Sequence, residues 1–485
     1  MILQIGSVKT FAIDEHDDLL RSIIVQDGSE LSVIDCVATA FKNSPKIKRD
    51  KYNLDIAKSN LGIAKSEYFP VISAGVGYYH ENNSNKRDYD SYYRELPNVG
   101  VVVNQLVYNF GKSTARIKME EFYKIGAEYE FMDSLCHTLF DVKLKYYELL
   151  RQQALLKIAT NNLELCKHFL TLAKNKKNAD KKTAELNISN AEVNLIEANT
   201  QYNNAKLDLS NAMYLPSQPN YTIKDTQTFA YQDDYAYMSG KGQSKTFEPV
   251  TFIFPLEKAV DIAYNNSPDL QVLINTKNAM EQSLKFIKKS YLPDITASAG
   301  YGYLNTNNKS TNNGLTVGVN MSTSINLMEL KHSIKGANAQ LNLADNEIEL
   351  FKKDLYFEVK RALNNVDKAK NQIITSKLGV EQAIVNLKYV EDEYKSDKLN
   401  YIALQDARKD YINSLMKYID VLYDYNNALI QLERAMHYHI VDIHHKSEHA
   451  MHYHSNELIK HLIDALNCDE KEVKNKLKNN KNKNN

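Results

Sequence analysis

The chain has 485 residues, and its 60 basic side chains are balanced by 60 acidic ones, so no net charge draws it towards nucleic acid. Four cysteines with no CxxC spacing give no sign of a zinc knuckle or a disulfide framework, and no run of 18 apolar residues is present to form a membrane-spanning helix. Of nine prolines, none falls between Asn98 and Leu215 and none after Pro293, which leaves room for very long helices.

Residues 1–30 read as an N-terminal extension without a clear signal peptide. Asp14, Glu15, Asp17 and Asp18 stand where an apolar signal core is expected. A signal already removed or wrongly delimited, or export by another route, would each account for this. From residue 31 the chain reads as one unit used twice, 31–215 and 255–436, around a connector at 216–254. Ser32–Pro45 aligns with Pro255–Pro268, and the offset of 223 residues that carries Pro45 to Pro268 also carries Pro70 to Pro293.

In the first unit the pattern predicts a helix over Val33–Tyr68, stopped by Phe69–Pro70 because a residue before proline avoids the helical region. Strands are expected at Val71–His80 and Asn98–Tyr108, joined by a polar loop over Glu81–Leu96. A helix over Lys112–Ala173, on the order of 90 Å long at 1.5 Å per residue, precedes a polar break at Lys174–Lys182 and a return helix over Thr183–Tyr214. The second unit repeats the plan: a helix over Leu256–Ser290, two strands, a helix over Glu329–Lys395, a break, and a helix over Tyr401–Met436.

The strands of the second unit carry the clearest pattern. Ile295, Ala297, Ala299, Tyr301 and Tyr303 alternate with Asp294, Thr296, Ser298, Gly300 and Gly302. After a polar turn at Asn305–Asn313, Leu315, Val317, Val319, Met321, Ile325 and Leu327 share one parity, interrupted by Thr323. Period two places each set on one face of a strand, and about ten residues suffice for a tilted strand to cross a bilayer. The helices carry a coiled-coil rhythm: Leu341, Ile348, Phe351, Leu355, Val359, Ala362, Val366 and Ile373 form one stripe.

The tail, 437–485, stands apart from both units. Ala435–His439 recurs as Ala450–His454, and eight of the thirteen histidines lie between His437 and His461. His437, His439, His444, His445, His449, His452 and His454 are candidate ligands for zinc, copper or nickel, since neutral imidazoles suit those ions. Beyond Asp469 the Lys/Asn-rich composition predicts disorder. No P-loop, GxGxxG after a strand, HExxH or GxSxG is present, so the sequence offers no foothold for an enzyme or a cofactor.

Over roughly Leu31–Met436 the chain resembles the TolC-like outer-membrane efflux proteins. The resemblance rests on the duplicated Asn43–Ser44–Pro45 and Asn266–Ser267–Pro268, on the Tyr68–Phe69–Pro70 and Tyr291–Leu292–Pro293 entries into the strands, and on the stretch Tyr394–Ala407. It implies a mainly α protein with a membrane β-barrel contribution. Two repeats of long coiled-coil hairpins with two strands each would form, in a homotrimer, a 12-stranded barrel in outer-membrane lipid above an α-helical periplasmic tunnel. The resemblance also implies a periplasmic adaptor protein and an inner-membrane transporter as partners.

It further implies a periplasmic gate at Tyr394, Lys398 and Asp406, where three Asp406 carboxylates attract cations and Lys398 compensates. Adaptor-contact tips would lie at Asp180, Lys181, Lys182, Asp397 and Leu399. The sequence departs from the family at several points: Asp397 stands where glycine is usual, Ala403 replaces the first acidic residue of the tip, and Leu106–Val107–Tyr108 and Ile325–Asn326–Leu327 replace Pro-Leu-Phe. The expected function is a passive exit duct for small toxic compounds. A protein-secretion outlet of the same build and a non-exported coiled-coil scaffold are the alternatives.

Overall fold

A computed structural model of the chain describes residues 25, 27–83, 92–174, 178–217, 219–224, 255–307, 310–439 and 453–454. The elements in order are β1 (Glu30–Leu31), α1 (Val33–Asn43), α2 (Pro45–Lys65), β2 (Val71–Asn83), β3 (Tyr92–Tyr108), α3 (Lys112–Ala173), α4 (Asn178–Ala212) and β4 (Thr222–Ile223). There follow α5 (Leu256–Asn266), α6 (Pro268–Lys288), β5 (Asp294–Asn307), β6 (Ser310–Ser322), α7 (Leu327–Lys395), α8 (Tyr401–Met436), β7 (Tyr438–His439) and β8 (Tyr453–His454). The series helix, helix, strand, strand, helix, helix thus occurs twice.

Each helix expected before a strand pair is two helices. Ser44, before Pro45, and Ser267, before Pro268, both adopt extended backbone with ψ of 118° and 114°, because the pyrrolidine ring clashes with a helical predecessor. Proline is tolerated in the first turn that follows, and the Ser44 hydroxyl accepts the Ile47 N–H at 3.3 Å. Both serines are fully buried, so the Asn-Ser-Pro signature is a packed corner. At the other end of α1, Ser32 and Asp35 form a capping box: the Asp35 carboxylate accepts the Ser32 N–H at 2.9 Å and the Ser32 hydroxyl accepts the Asp35 N–H at 3.3 Å.

Two compact units divide the chain. The sheet unit comprises Asp50–Phe131 and Pro268–Lys352, and the helical unit comprises Met1–Arg49, Met132–Ser267 and Lys353–Asn485.

In the sheet unit four antiparallel strands run in the order β2-β3-β5-β6. The register aligns Ile72, Val103, Ala299 and Val317 in one row and Ala74, Val101, Tyr301 and Leu315 in another on the same face. The opposite face carries the row Ser73, Val102, Gly300, Thr316 and a row made only of Gly75, Gly100, Gly302 and Gly314. The apolar face is bare: Val76 is 83% exposed and Val317 75%.

The strands differ from expectation at their ends. β2, β3, β5 and β6 reach into the stretches read as polar loops, with 84–91 and 308–309 outside the described residues. β6 stops at Ser322 instead of 327. Thr323, the residue that broke the alternation, donates its hydroxyl to the Tyr291 carbonyl at 2.9 Å, and Asn326 accepts the Glu329 N–H at 3.2 Å and so begins α7. Ile325 and Leu327 therefore lie beyond the strand. At the start of α3, Phe110 and Gly111 both take left-handed backbone, φ 57° and 78°, to turn strand into helix. Lys112 then reaches the Leu292 carbonyl at 2.9 Å and the Asp294 carboxylate at 2.8 Å.

The helical unit is held by a regular seam. In the part of α7 that belongs to this unit, from Lys353 on, the buried residues are Leu355, Val359, Ala362, Val366, Ala369, Ile373, Ser376, Val380, Ala383, Leu387, Val390 and Tyr394. Their spacing alternates four and three without a break, the period of a left-handed coiled coil. Ion pairs join α3 to α8: Lys143 meets the buried Glu433 at 2.5 Å, and the half-buried Arg151 meets Asp420 at 2.7 Å. Cys36, Cys136 and Cys166 are buried. β1 pairs in parallel with β4, which places a short strand inside the expected connector; 225–254 lie outside the described residues.

Candidate functional site

The residues singled out at the ends of the long helices fall in the helical unit. The turn between α7 and α8, Ser396–Asn400, begins where Asp397 takes a left-handed conformation, φ 61°. That is the position where the sequence carries aspartate in place of the expected glycine. Aspartate is among the few residues that tolerate this region, at a cost glycine does not incur. Asn400 closes the turn by accepting the Ala403 N–H at 3.0 Å, which starts α8.

Tyr394 ends the α7 seam at 2% exposure. Its hydroxyl donates to the Asp180 carboxylate at 3.4 Å, and its ring packs edge-on against Tyr401 with centroids 5.8 Å apart. Burial, followed by the neighbouring Asp180 carboxylate, pushes the phenol up to about 12, so the hydroxyl remains a donor throughout the neutral range. Asp180, Lys181 and Lys182 were expected in a turn. They lie in the opening turns of α4, which starts at Asn178, ahead of the expected Thr183. Asp180 there adds a negative charge at a helix N-terminus, where it is favoured.

The remaining gate candidates are not brought together. Lys398 pairs with Glu393 at 3.1 Å and not with Asp406, while Asp406 is exposed on α8. Lys181 approaches Glu185 at 4.0 Å along its own helix, and Leu399 is 37% exposed.

Sequence reasoning missed a buried polar network beneath the turn. Asn187 of α4 donates to the Tyr401 hydroxyl at 3.4 Å and accepts from Gln405 at 3.1 Å. Arg408 of α8, 7% exposed, donates to Asn162 of α3. His168 of α3 meets Glu391 of α7 at 3.1 Å. Tyr401, Leu404, Arg408, Tyr411 and Leu415 are spaced three and four apart and are all buried. A charged residue inside such a stripe was the available signal for Arg408. These contacts tie all four long helices together near their ends.

The histidine tail divides. His437 caps α8 in left-handed backbone, φ 45°. Burial pushes its imidazole down to about 4 against the opposing pull of Asp133, with His137 and Arg434 adding to the burial effect. The two halves of the small repeat meet as a ladder, Tyr438 opposite His454 and His439 opposite Tyr453. His444, His445, His449 and His452 lie outside the described residues. Among the described residues no group of three or more His, Cys, Asp or Glu is placed to hold a metal, and no helix is long and apolar enough to cross a membrane.

No curated protein matches the sequence. Solved structures match the fold. The outer-membrane channel OprN is 13% identical with a TM-score of 0.69, over 83% of this chain and 89% of that one. The Campylobacter jejuni CmeC outer membrane channel is 14% identical with a TM-score of 0.66, over 83% and 84%. The Vibrio cholerae outer membrane protein VceC is 15% identical with a TM-score of 0.67, over 83% and 95%. In sequence, residues 37–213 and 259–436 match the outer membrane efflux protein family. By that match, which takes in both helix–strand–helix series, the chain belongs to the outer membrane efflux protein family.

Proposed function

We propose that the protein is the outer-membrane duct of a tripartite export system. It works as a homotrimer that receives small toxic compounds from an inner-membrane transporter through a periplasmic adaptor and lets them pass without chemistry of its own. The observation that carries this reading is the four-stranded sheet. One face presents Ile72, Val101, Leu315 and Val317 to the surroundings, the other presents glycine, serine and threonine around Val102, and among the described residues β2 and β6 each pair on one side only. In lipid an unpaired edge has no water to satisfy it, so such a sheet is viable only when other copies close it. Three copies supply twelve strands.

The helices support the same assembly. Leu343, Leu350, Phe357, Leu378 and Val385 of α7 recur at multiples of seven on the side of the helix opposite its seam, and all are exposed. Helices apolar on two sides are ordinarily buried on both, and neighbouring copies supply the second partner. The turn at Asp397 and the Tyr394–Asp180 contact form the periplasmic gate in this reading, and the Asp406 carboxylates face one another across its mouth. The decisive experiment is fractionation. The protein is expected in the outer membrane and, after detergent extraction, as a trimer by light scattering. Recovery as a soluble monomer overturns the reading.

A further inference from the structure

We propose that the ends of α6 and α7 nearest the sheet form a binding site for the phosphate of an anionic phospholipid; this rests on the reading of the sheet as part of a barrel wall in the outer membrane. Lys285 and Lys288 end α6 and Lys289 follows it, while Lys331 and Lys335 lie one turn apart at the start of α7. Two contacts hold these helices side by side. Lys277 of α6 meets Asp345 of α7 at 2.6 Å, and the Thr323 hydroxyl donates to the Tyr291 carbonyl at 2.9 Å. Lys288 stands about three turns beyond Lys277, and Lys331 about four turns before Asp345, so both return to the facing side of the helix pair. Their heights above that ion pair are similar, roughly 16 and 21 Å.

No carboxylate answers these charges. Among the described residues none of the five lysines makes an ion pair. The acids of the same segments are engaged or turned away: Asp294 holds Lys112 at 2.8 Å, Asp345 and Glu281 act on Lys277, and Glu329 lies on the other side of α7 from Lys331. Lys289 reaches over Gly111, its Nζ 2.9 Å from where a Cβ would stand, which brings a third ammonium to the turn between β3 and α3. The repeated fold does not require this cluster, since the offset of 223 residues carries Lys285 and Lys289 to Gly62 and Ser66.

What lies beside the lysines selects the anion. On their sheet side Tyr291, Ile325, Leu327 and Met328 are all exposed. Among the described residues no helix is apolar enough to cross a membrane, so the edge of the bilayer falls where sheet gives way to helix. There an apolar rim meets acyl chains while lysine ammoniums reach the headgroup layer. Anionic headgroups attract such clusters, and phosphate oxygens accept charge-assisted bonds from several ammoniums at once. A free phosphate would leave the apolar rim unused.

The test is native mass spectrometry of the full-length trimer in detergent, titrated with phosphatidylglycerol or with phosphatidylcholine. The wild type is expected to bind phosphatidylglycerol at least roughly fivefold more tightly, and to lose the difference as salt is raised. The triple variant Lys288→Gln, Lys289→Gln, Lys331→Gln is expected to bind both lipids alike, and arginine at the same three positions to keep the preference. Lys331→Gln alone is expected to weaken the preference severalfold, which keeps the comparison available if the triple variant fails to assemble. Equal binding of the two lipids by the wild type, or an undiminished preference in the glutamine variants, overturns the site. Displacement of the lipid by millimolar inorganic phosphate makes a free anion the occupant and overturns the lipid assignment. Insertion into vesicles tests the underlying reading separately. A trimer that enters vesicles of either lipid without preference counts against this site alone, whereas one that enters neither overturns the barrel wall and the site together.

Discussion

The Tyr394 hydroxyl of α7 donates to the Asp180 carboxylate of α4 across 3.4 Å, at the point where the α7 seam ends. The contact joins the two hairpins of one chain at a place where each changes direction. A long bond to a partly solvated carboxylate is worth about 1 kcal/mol. Tyr394→Phe keeps the ring against Tyr401 and removes only the hydroxyl, so the open population is expected to rise roughly fivefold. Conductance in planar bilayers measures this, and a wild-type open probability would place the constriction elsewhere.

Alkali offers a second view of the same bond. The Tyr394 phenol titrates near 12 in the folded protein against an ordinary 10. A raised value on an acid means the contact's contribution is complete below pH 10 and is lost as pH climbs from 10 towards 12. Conductance is therefore expected to increase over that interval in the wild type and to change less in Tyr394→Phe.

Asp406 makes no ion pair among the described residues and stands exposed on α8. If three such carboxylates line the gate, each attracts a bound cation by about 1 kcal/mol in water-like surroundings. Asp406→Ala is then expected to weaken block by divalent cations roughly fivefold or more. Equal block in wild type and variant excludes Asp406 from the mouth.

The two faces of β6 differ sharply in what they should tolerate. Val317 lies on the apolar face and its neighbour Thr316 on the glycine-rich one. A lysine facing lipid near the bilayer centre costs about 2–4 kcal/mol, while one in a water-filled lumen costs little. Val317→Lys is expected to reduce trimer yield in the outer-membrane fraction severely, and Thr316→Lys to assemble with lowered cation conductance. Equal tolerance at both positions contradicts the assignment of faces.

The features most legible in the sequence were those that local physics dictates. Alternation along β5 and β6 marked both faces, and Tyr68–Phe69–Pro70 and Tyr291–Leu292–Pro293 marked both strand entries, because proline and period two act within a few residues. Ser44 and Ser267 could also have been read, since a residue before proline avoids the helical region, yet Val33–Tyr68 and Leu256–Ser290 were each expected as one unbroken helix. The network of Asn162, Asn187, His168 and Arg408 was not legible. Its members are polar residues on three helices, α3, α4 and α8, and their meeting depends on how two coiled-coil hairpins pair. Asp397 was noticed as a departure, and the reason it is accommodated, an aspartate in left-handed backbone, appears only in the fold.

The end of α8 has its own dependence on acid. His437 occupies the left-handed cap of the helix, with its Nδ1 buried and unpartnered beside Asp133, whose Oδ1 is likewise unpartnered. Burial lowers its imidazole from 6.5 to about 4. A base whose folded value is depressed resists a proton that the undocked side chain accepts, so docking is complete above about pH 7 and weakens as pH falls through 6.5 towards 4, by on the order of 3 kcal/mol in total. Asp133 pulls the other way, and His137 and Arg434 reinforce the loss. Asparagine suits left-handed backbone and does not titrate, which makes His437→Asn the informative variant. Hydrogen exchange of the α8 C-terminal turn, corrected for intrinsic rates, is expected to lose protection at least tenfold between pH 7 and pH 5 in the wild type and far less in His437→Asn. Parallel losses in the two proteins would show that the acid response belongs to another group.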